Sequence, residues 1–421
     1  MTSRFNRSTL SLAACCVLML TMLMPVQLNA APLTLNEALR LATLHSPVIA
    51  AAKAQARGTE AALTTATAYV NPEIEFSSGS SRPRQLGGTS GSTGLVGVSQ
   101  LFELPSLRAA RRQVAEAGIA SGSAALSFTQ LNQNTAVKQA FFDALRRQEE
   151  ARLAKENYEL LLQIRNRVKV KVEVGESPRY ELVKAGAEAL AAESSAKSAE
   201  FRVTQAHDRL RALIGSPLEE NFVVAFEALS PASLPELEQL RIDLSASQPL
   251  LKVTAAERQR AQAKLEQERA ARLPQPTFKV LSERDPDMSM WRIGVALPLP
   301  LWNRREGQIG EAMAAVERAE AEAQQVNISL LAQLDQAYSQ YQIAKRQVQT
   351  FESGLMSEAE NAMKVAEAAY NFGERGILDY LDAQRVLRNT RLDFLNARYE
   401  LQAALIEIER LRATTIAGDT L

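Results

Sequence analysis

The sequence predicts a mainly α-helical protein with four short β-strands, built from two tandem copies of one unit. Three observations carry this. No proline occurs between Pro105 and Pro178 or after Pro300, so two long stretches lack the residue that breaks helices. Short segments between the helical stretches alternate apolar and polar side chains, which is the period of a strand rather than of a helix. The chain also matches itself at an offset of roughly 200 residues along most of its length.

The first residues are expected to lie outside the fold. Arg4 and Arg7 precede an apolar run from Leu10 to Met24, and small residues at Ala30 and Ala31 offer a cleavage point, so 1–30 reads as a secretory signal peptide. Cys15 and Cys16 both fall in that segment, which leaves the exported chain without a thiol for a disulfide, a zinc site or a nucleophile. Leu12-Ala13-Ala14-Cys15 also resembles a lipoprotein cleavage box, although acylation there would keep the apolar residues up to Met24 on the mature chain.

Helices dominate the mature chain. The aromatic share is only 5% while Ala, Glu, Gln, Leu, Arg and Lys fill the proline-free stretches, which suits long helices better than a thick aromatic core. One helix from Leu107 to Val172 would reach roughly 100 Å, and helices of that length need lateral partners. Leu153, Leu160, Ile164 and Val168 have the spacing for side-by-side, coiled-coil packing. Beyond the leader, no apolar run attains the length of a membrane-spanning helix, so any membrane crossing has to use strands.

The duplication orders the rest. "HSPVIAAAKAQA" (His45 to Ala56) resembles "SQPLLKVTAAER" (Ser247 to Arg258), "NPEIEF" (Asn71 to Phe76) resembles "QPTFKV" (Gln275 to Val280), and "DRLRA" (Asp208 to Ala212) returns as "ERLRA" (Glu409 to Ala413). The expected layout is a first repeat over 31–214 with a hairpin at 72–103 and a helix turn at 174–178, a linker over 215–247, a second repeat over 248–413 with a hairpin at 276–300 and a turn at 372–376, and a tail over 414–421. "VGESPRYELVKA" (Val174 to Ala185) and "FGERGILDYLDA" (Phe372 to Ala383) are the corresponding turns. In each, Gly175 or Gly373 can close a long helix in the left-handed conformation, and Pro178 or Gly376 starts the next.

In the hairpins, Trp291, Ile293, Val295 and Leu297 alternate with Arg292, Gly294 and Ala296, and Ile74 and Phe76 alternate with Glu73 and Glu75. That pattern fits half-buried hairpins on a soluble sheet or membrane strands with apolar side chains outward. The Gly/Ser-rich connection from Ser77 to Thr93 and the short one at Asp285 to Asp287 suit loops facing water. Four strands cannot close a barrel and lipid does not tolerate open edges, whereas three copies would supply twelve strands.

The whole mature chain resembles the outer membrane factor family, the TolC-like channels. The resemblance is carried by the duplicated turns, the two hairpins and the "LNEALRLATLHSPVIAAA" opening (Leu35 to Ala52); "NPEIEF", "VSQLFELPSLRAARR" (Val98 to Arg112) and "LPLPLWNRREGQIGEA" (Leu297 to Ala312) are most similar to the heavy-metal, CzcC-like branch. It implies a homotrimer in the outer membrane of a Gram-negative cell, with a twelve-stranded barrel in lipid, a long α-helical barrel in the periplasm and a mixed region at 215–247 and the tail. It further implies a periplasmic adaptor (membrane fusion) protein and an inner-membrane RND-type pump as partners, with cobalt, zinc, cadmium or nickel ions as cargo. A duct for drugs or organic compounds, and a periplasmic coiled-coil scaffold that conducts nothing, remain the alternatives.

The resemblance also assigns residues. Gly175, Glu176, Ser177 and Pro178, with Gly373, Glu374 and Gly376, would form the periplasmic end and meet the adaptor. Asp379 and Asp382, three residues apart on one helix face, match acidic positions that look into the pore entrance. Tyr370 and Arg375 match closing contacts of the shut state, with the opposing acid at Glu181; here that acid is Glu rather than Asp, and the residue before it is Tyr180 rather than a small hydroxyl residue.

Other classes find little support. Lys plus Arg equal Asp plus Glu at 48 each, so no basic excess is available to hold nucleic acid. His45 and His207 are the only histidines and lie far apart in sequence, and no nucleophile elbow, phosphate loop or zinc spacing appears; neither an enzyme nor a cofactor is expected.

Overall fold

The computed structural model describes residues 32–82, 84, 87–215, 222–225 and 234–414. The leader and most of the tail lie outside these, as does much of the linker between the repeats.

Each half of the chain opens on two short helices divided by a proline. In the first half these are α1 (Leu35–His45) and α2 (Pro47–Thr67), then strands β1 (Glu73–Ser81) and β2 (Gly91–Leu101) and long helices α3 (Pro105–Glu173) and α4 (Arg179–Ile214). The second half repeats the order with α5 (Leu237–Ser247), α6 (Pro249–Ala270), β3 (Thr277–Arg284), β4 (Ser289–Ala296), α7 (Glu306–Thr350), α8 (Met356–Asn371) and α9 (Ile377–Arg412). Pro47 and Pro249 each take the first position of their helix, where a missing N–H costs nothing. Helix α5 therefore corresponds to α1, and α6 to α2.

Helix α3 runs for 69 residues without interruption, as its lack of proline predicts. The second proline-free stretch does not stay one helix. It loosens into a π-helical turn over Phe351–Leu355, where Gly354 adopts non-helical angles (φ 161°, ψ −31°), and α8 continues beyond it. Glycine has no side chain to hold the helical conformation there, and the turn is stitched instead by the Phe351 ring packed on Phe394 of α9 at 5.5 Å.

The four strands form one antiparallel sheet in the order β1-β2-β3-β4, so the β2–β3 ladder joins the two halves. Register puts Ile74, Val98, Val280 and Ile293 in a single row, with Phe76, Val96 and Trp291 in the next, all on one face and all exposed. Glu73, Glu75, Lys279, Glu283 and Arg292 occupy the other face, where Arg292 and Glu283 pair across the β3–β4 ladder. Nothing among the described residues covers the apolar face: Phe76 is 74% exposed and Trp291 73%. A soluble half-buried sheet would bury that face, so its exposure favours the membrane-strand reading. The edges β1 and β4 are unpaired.

The core is distributed along the long axis. About halfway along α3, Val137, Phe141 and Ala144 pack with Leu35 and Ala38 of α1, Leu210 of α4 and Phe222 and Val224, where Leu33 and Val224 form a short parallel bridge. Leu240 and Leu244 of α5 pack on Leu330 and Leu334 of α7 and Ile408 of α9 in the equivalent place. Helix α4 buries Ala185, Ala189, Ala192, Ala196 and Ala199, a 4-3-4-3 spacing that keeps one narrow seam against a neighbour. Leu161, Ile164 and Val168 of α3 are buried at that end, with Leu160 partly buried beside them. The sheet and the helix turns thus occupy opposite ends of α3, which at 1.5 Å per residue lie roughly 100 Å apart.

Candidate functional site at the paired helix turns

The two turns fold by the same hydrogen bonds. Gly175 has φ 80° and donates to the Val172 carbonyl at 3.2 Å, while Glu176 donates to Lys171 at 2.8 Å. Gly373 has φ 77° and donates to Tyr370 at 3.2 Å, while Glu374 donates to Ala369 at 2.9 Å. Each is a glycine-closed helix end in which left-handed backbone satisfies two orphan carbonyls, the conformation glycine adopts without a Cβ penalty. Pro178 (ψ 146°) and Gly376 (ψ 168°) then extend the chain into the next helix. Ser177 and Glu374 are part of the same short loops.

Both turns lie at one end of the molecule. A single apolar cluster takes Ile164 and Val168 from α3, Ala185 from α4, Met363 and Tyr370 from α8, and Ile377, Tyr380 and Leu381 from α9. Within it the Tyr370 and Tyr380 rings stack at 5.7 Å, and the Lys171 ammonium of the first turn sits 4.4 Å over the Tyr370 ring. Arg167 reaches Glu367 at 3.8 Å between α3 and α8. Deeper along the bundle, Gln384 donates to Asn157, a buried amide pair linking α9 to α3.

The expected site residues fall into two groups. Tyr370 is buried, its hydroxyl has no hydrogen-bond partner among the described residues, and Glu181 is close enough to act on it: burial first, then the Glu181 carboxylate, raises its pKa, with Arg167 opposing. Burial, with Glu367 adding, pushes the Tyr380 pKa up to about 12. Both phenols therefore stay neutral at physiological pH. Glu181 also approaches the second turn, since a Cβ on Gly376 would lie 3.9 Å from its Oε1.

Arg375 departs from its expected partner. Within one protomer its guanidinium meets Asp379 at 3.4 Å, one turn along its own helix, rather than Glu181. That i,i+4 reach is short and solvent-exposed, a contact worth about 0.3–0.5 kcal/mol and easily exchanged. Asp382 pairs likewise with Arg385. Asp379 and Asp382 do share one exposed face of α9, but each has an arginine beside it. Both pairings were visible in the sequence as spacings of four and three residues; Lys171 and Tyr380 were not, because only the packing of separate helices brings them to Tyr370.

The two histidines lie elsewhere. His207 stacks on Phe222 at 4.5 Å and contacts Gln148, and burial, with Arg211 adding, lowers its pKa. His45 lies in the last turn of α1. Among the described residues no three His, Cys, Asp or Glu side chains come together as a metal site, and no helix is long and apolar enough to cross a membrane.

Long antiparallel helices that meet in two equivalent turns at one end, and at the other carry a sheet with one exposed apolar face and two open edges, define a tube-forming protomer of the channel class. The chain belongs to the outer membrane efflux protein family, whose model matches residues 38–216 and 241–414. It is 29% identical over 386 residues to the cobalt-zinc-cadmium resistance protein CzcC of Cupriavidus metallidurans, covering 91% of this chain and 90% of that one. Its fold matches the Campylobacter jejuni CmeC outer membrane channel (TM-score 0.80, 17% identity, 92% of this chain and 87% of that one). It also matches CusC (TM-score 0.78, 17% identity, 90% and 91%) and the open state of the Neisseria gonorrhoeae MtrE outer membrane channel (TM-score 0.75, 18% identity, 92% and 90%).

Proposed function

We propose that three copies of this chain form an outer-membrane channel that carries heavy-metal cations of the cobalt, zinc and cadmium type out of the cell, working with a periplasmic adaptor and an inner-membrane pump. The observation that carries the channel reading is the sheet: its apolar rows are exposed, and the unpaired N–H and C=O groups of β1 and β4 would each cost several kcal/mol in lipid. Pairing β1 of one copy with β4 of the next removes both edges and closes twelve strands. The likeness to a cobalt-zinc-cadmium resistance protein over most of both chains supports the choice of cargo. A pore has no need of a chelating site, because an ion held tightly would not leave.

In this reading the helix-turn end is the entrance from the periplasm. Gly175 to Pro178 and Gly373 to Gly376 receive the adaptor, Asp379 and Asp382 of three copies line the mouth, and Tyr370, Arg375 and Glu181 hold it shut. Arg375 exchanges its weak intrahelical partner for Glu181 or a neighbouring copy when the mouth closes. Deleting the gene should lower tolerance to cobalt, zinc and cadmium while tolerance to dyes and antibiotics stays at the parental level. Loss of dye and antibiotic tolerance alone would overturn the metal cargo, and a protein absent from the outer-membrane fraction would overturn the channel.

A further inference from the structure

Helices α4 and α9 both pack along α3, which becomes the floor of a groove between them. A cavity of about 350 Å³ opens in this groove, with Asn157 on the floor, Ser195 and Arg202 on the α4 wall, and Arg388 and Asn396 on the α9 wall. Its height above the helix turns is roughly 25 Å, from the 1.5 Å rise of α3 between Asn157 and Glu173.

The hydrogen bonds around this cavity leave it lined by donors. Gln384 donates to the Asn157 carboxamide oxygen, so only the amino group of Asn157 remains to be given. Arg146 donates to the Asn396 carboxamide oxygen at 3.4 Å, with the same result on the opposite wall. Both amides are thereby turned into donors. Arg147 and Glu150 of α3 also border the cavity, and that carboxylate is occupied by Arg147 at 2.8 Å. The two remaining arginines are uncompensated. Arg388 meets only the neutral Asn389 carboxamide, at 3.1 Å, and Arg202 has no hydrogen bond or ion pair among the described residues. Three arginines against one glutamate leave a surplus of two positive charges at the cavity, in a chain whose charges otherwise balance.

We propose that this cavity is a binding site for a small polycarboxylate anion, which Arg202 and Arg388 hold from opposite walls while Asn157, Asn396 and Ser195 donate to its oxygens. Two guanidinium groups on separate helices suit an anion with charges at both ends, and a donor-only lining discriminates against a cation. The site is complete within one protomer, so it stands independently of the cargo and of the channel. Its occupant ties α4 to α9, two helices otherwise joined mainly through α3.

Titration of citrate into the full-length protein in detergent, followed by calorimetry with chloride holding the ionic strength constant, reads the site directly. R202Q and R388Q should each weaken citrate binding about tenfold, because each removes one charge-assisted contact. R152Q removes the same charge from α3 outside the cavity and should leave binding unchanged. Equal weakening by R152Q would reveal a diffuse surface charge and overturn the site. Citrate should also raise the melting midpoint of the parent, and less so that of R202Q or R388Q, while the midpoints without citrate stay close together, since neither arginine has a carboxylate to lose. Inorganic phosphate is too compact to reach both walls and should bind at least about tenfold more weakly than citrate; phosphate binding as tight as citrate's overturns the bridging. A parent protein that takes up no citrate overturns the proposal, and if R202Q and R388Q then loosen the oligomer, a carboxylate of a second copy is the occupant.

Discussion

Substituting Gly373 separates the shape of the turn from what the turn touches. Its φ of 77° lies in the left-handed region, and a Cβ added there would meet nothing within 4 Å, so within the protomer the cost of a side chain is backbone strain alone. Left-handed backbone costs an L-residue about 1–2 kcal/mol, offset by roughly 0.4–1 kcal/mol because the unfolded chain loses freedom relative to glycine. The net cost for Gly373→Arg is about 1 kcal/mol; Gly373→Asn costs less because asparagine tolerates this conformation. In a protein of this size 1 kcal/mol moves the melting midpoint by about 2 °C or less. Circular-dichroism melts of the purified trimer should therefore place both variants close to the parent. Their effect on transport should differ: in a deletion strain, Gly373→Asn restores metal tolerance and Gly373→Arg does not, because the long side chain occupies the space the adaptor needs. Gly175, with φ 80° and the same open surroundings, should behave alike. Full tolerance with arginine at both positions would refute the assignment of the turns to the adaptor. A fall of many degrees for asparagine would refute the strain argument.

The entrance and the core yield three further outcomes. Asp379→Ala with Asp382→Ala should lower the cation preference measured as a reversal potential in planar bilayers, whereas Arg385→Ala, by freeing the Asp382 carboxylate, should raise it; a potential indifferent to both excludes the acidic mouth. Tyr370→Phe removes a buried hydroxyl that has no partner among the described residues, so alone it should leave the melt unchanged or slightly higher, and combined with Arg375→Ser it should raise single-channel conductance; parental conductance in the double variant excludes these residues as the closing contact. Because burial lowers the His207 pKa, the unfolded chain binds that proton more readily than the folded one, and stability is present above the ordinary histidine pKa near 6.5 and declines as pH falls through it. The loss of melting temperature between about pH 7 and pH 5 should accordingly be smaller in His207→Phe than in the parent, and an equal loss would show that His207 does not titrate on unfolding.

What the sequence makes legible is the chemistry of near neighbours. The absence of proline announces α3, Pro47 and Pro249 announce the divided helix pairs, and the repeated Gly-Glu punctuation announces two helix ends that share their hydrogen bonds. The break at Phe351–Leu355 escapes such reading. Gly118 and Gly122 sit inside α3 and Gly186 inside α4 without breaking either helix, so a lone glycine such as Gly354 is no signal by itself; the surrounding packing decides. The pairing of Arg375 is the opposite case. Its spacing to Asp379 was plain, yet the family pattern points to Glu181, which lies beside Gly376 in the same protomer while Arg375 meets Asp379.

The sheet shows why function was harder to read than fold. Alternation in each segment says only that two faces differ; it does not say that Ile74, Val98, Val280 and Ile293, drawn from four separate places, will share one face. Register decides that, and a shift by one residue in any strand would turn its apolar set to the polar side. Register also leaves β1 and β4 as edges, and an edge that lipid cannot satisfy has to be met by another copy. In the proposed channel the tube is consequently a property that no single chain can express: the closed barrel, and with it the proposed acidic mouth and closing contacts, would arise only where one protomer's edge meets the next. The weak intrahelical pairs of Arg375 and Arg385 fit that dependence, since side chains held by so little within the protomer remain available to a neighbour.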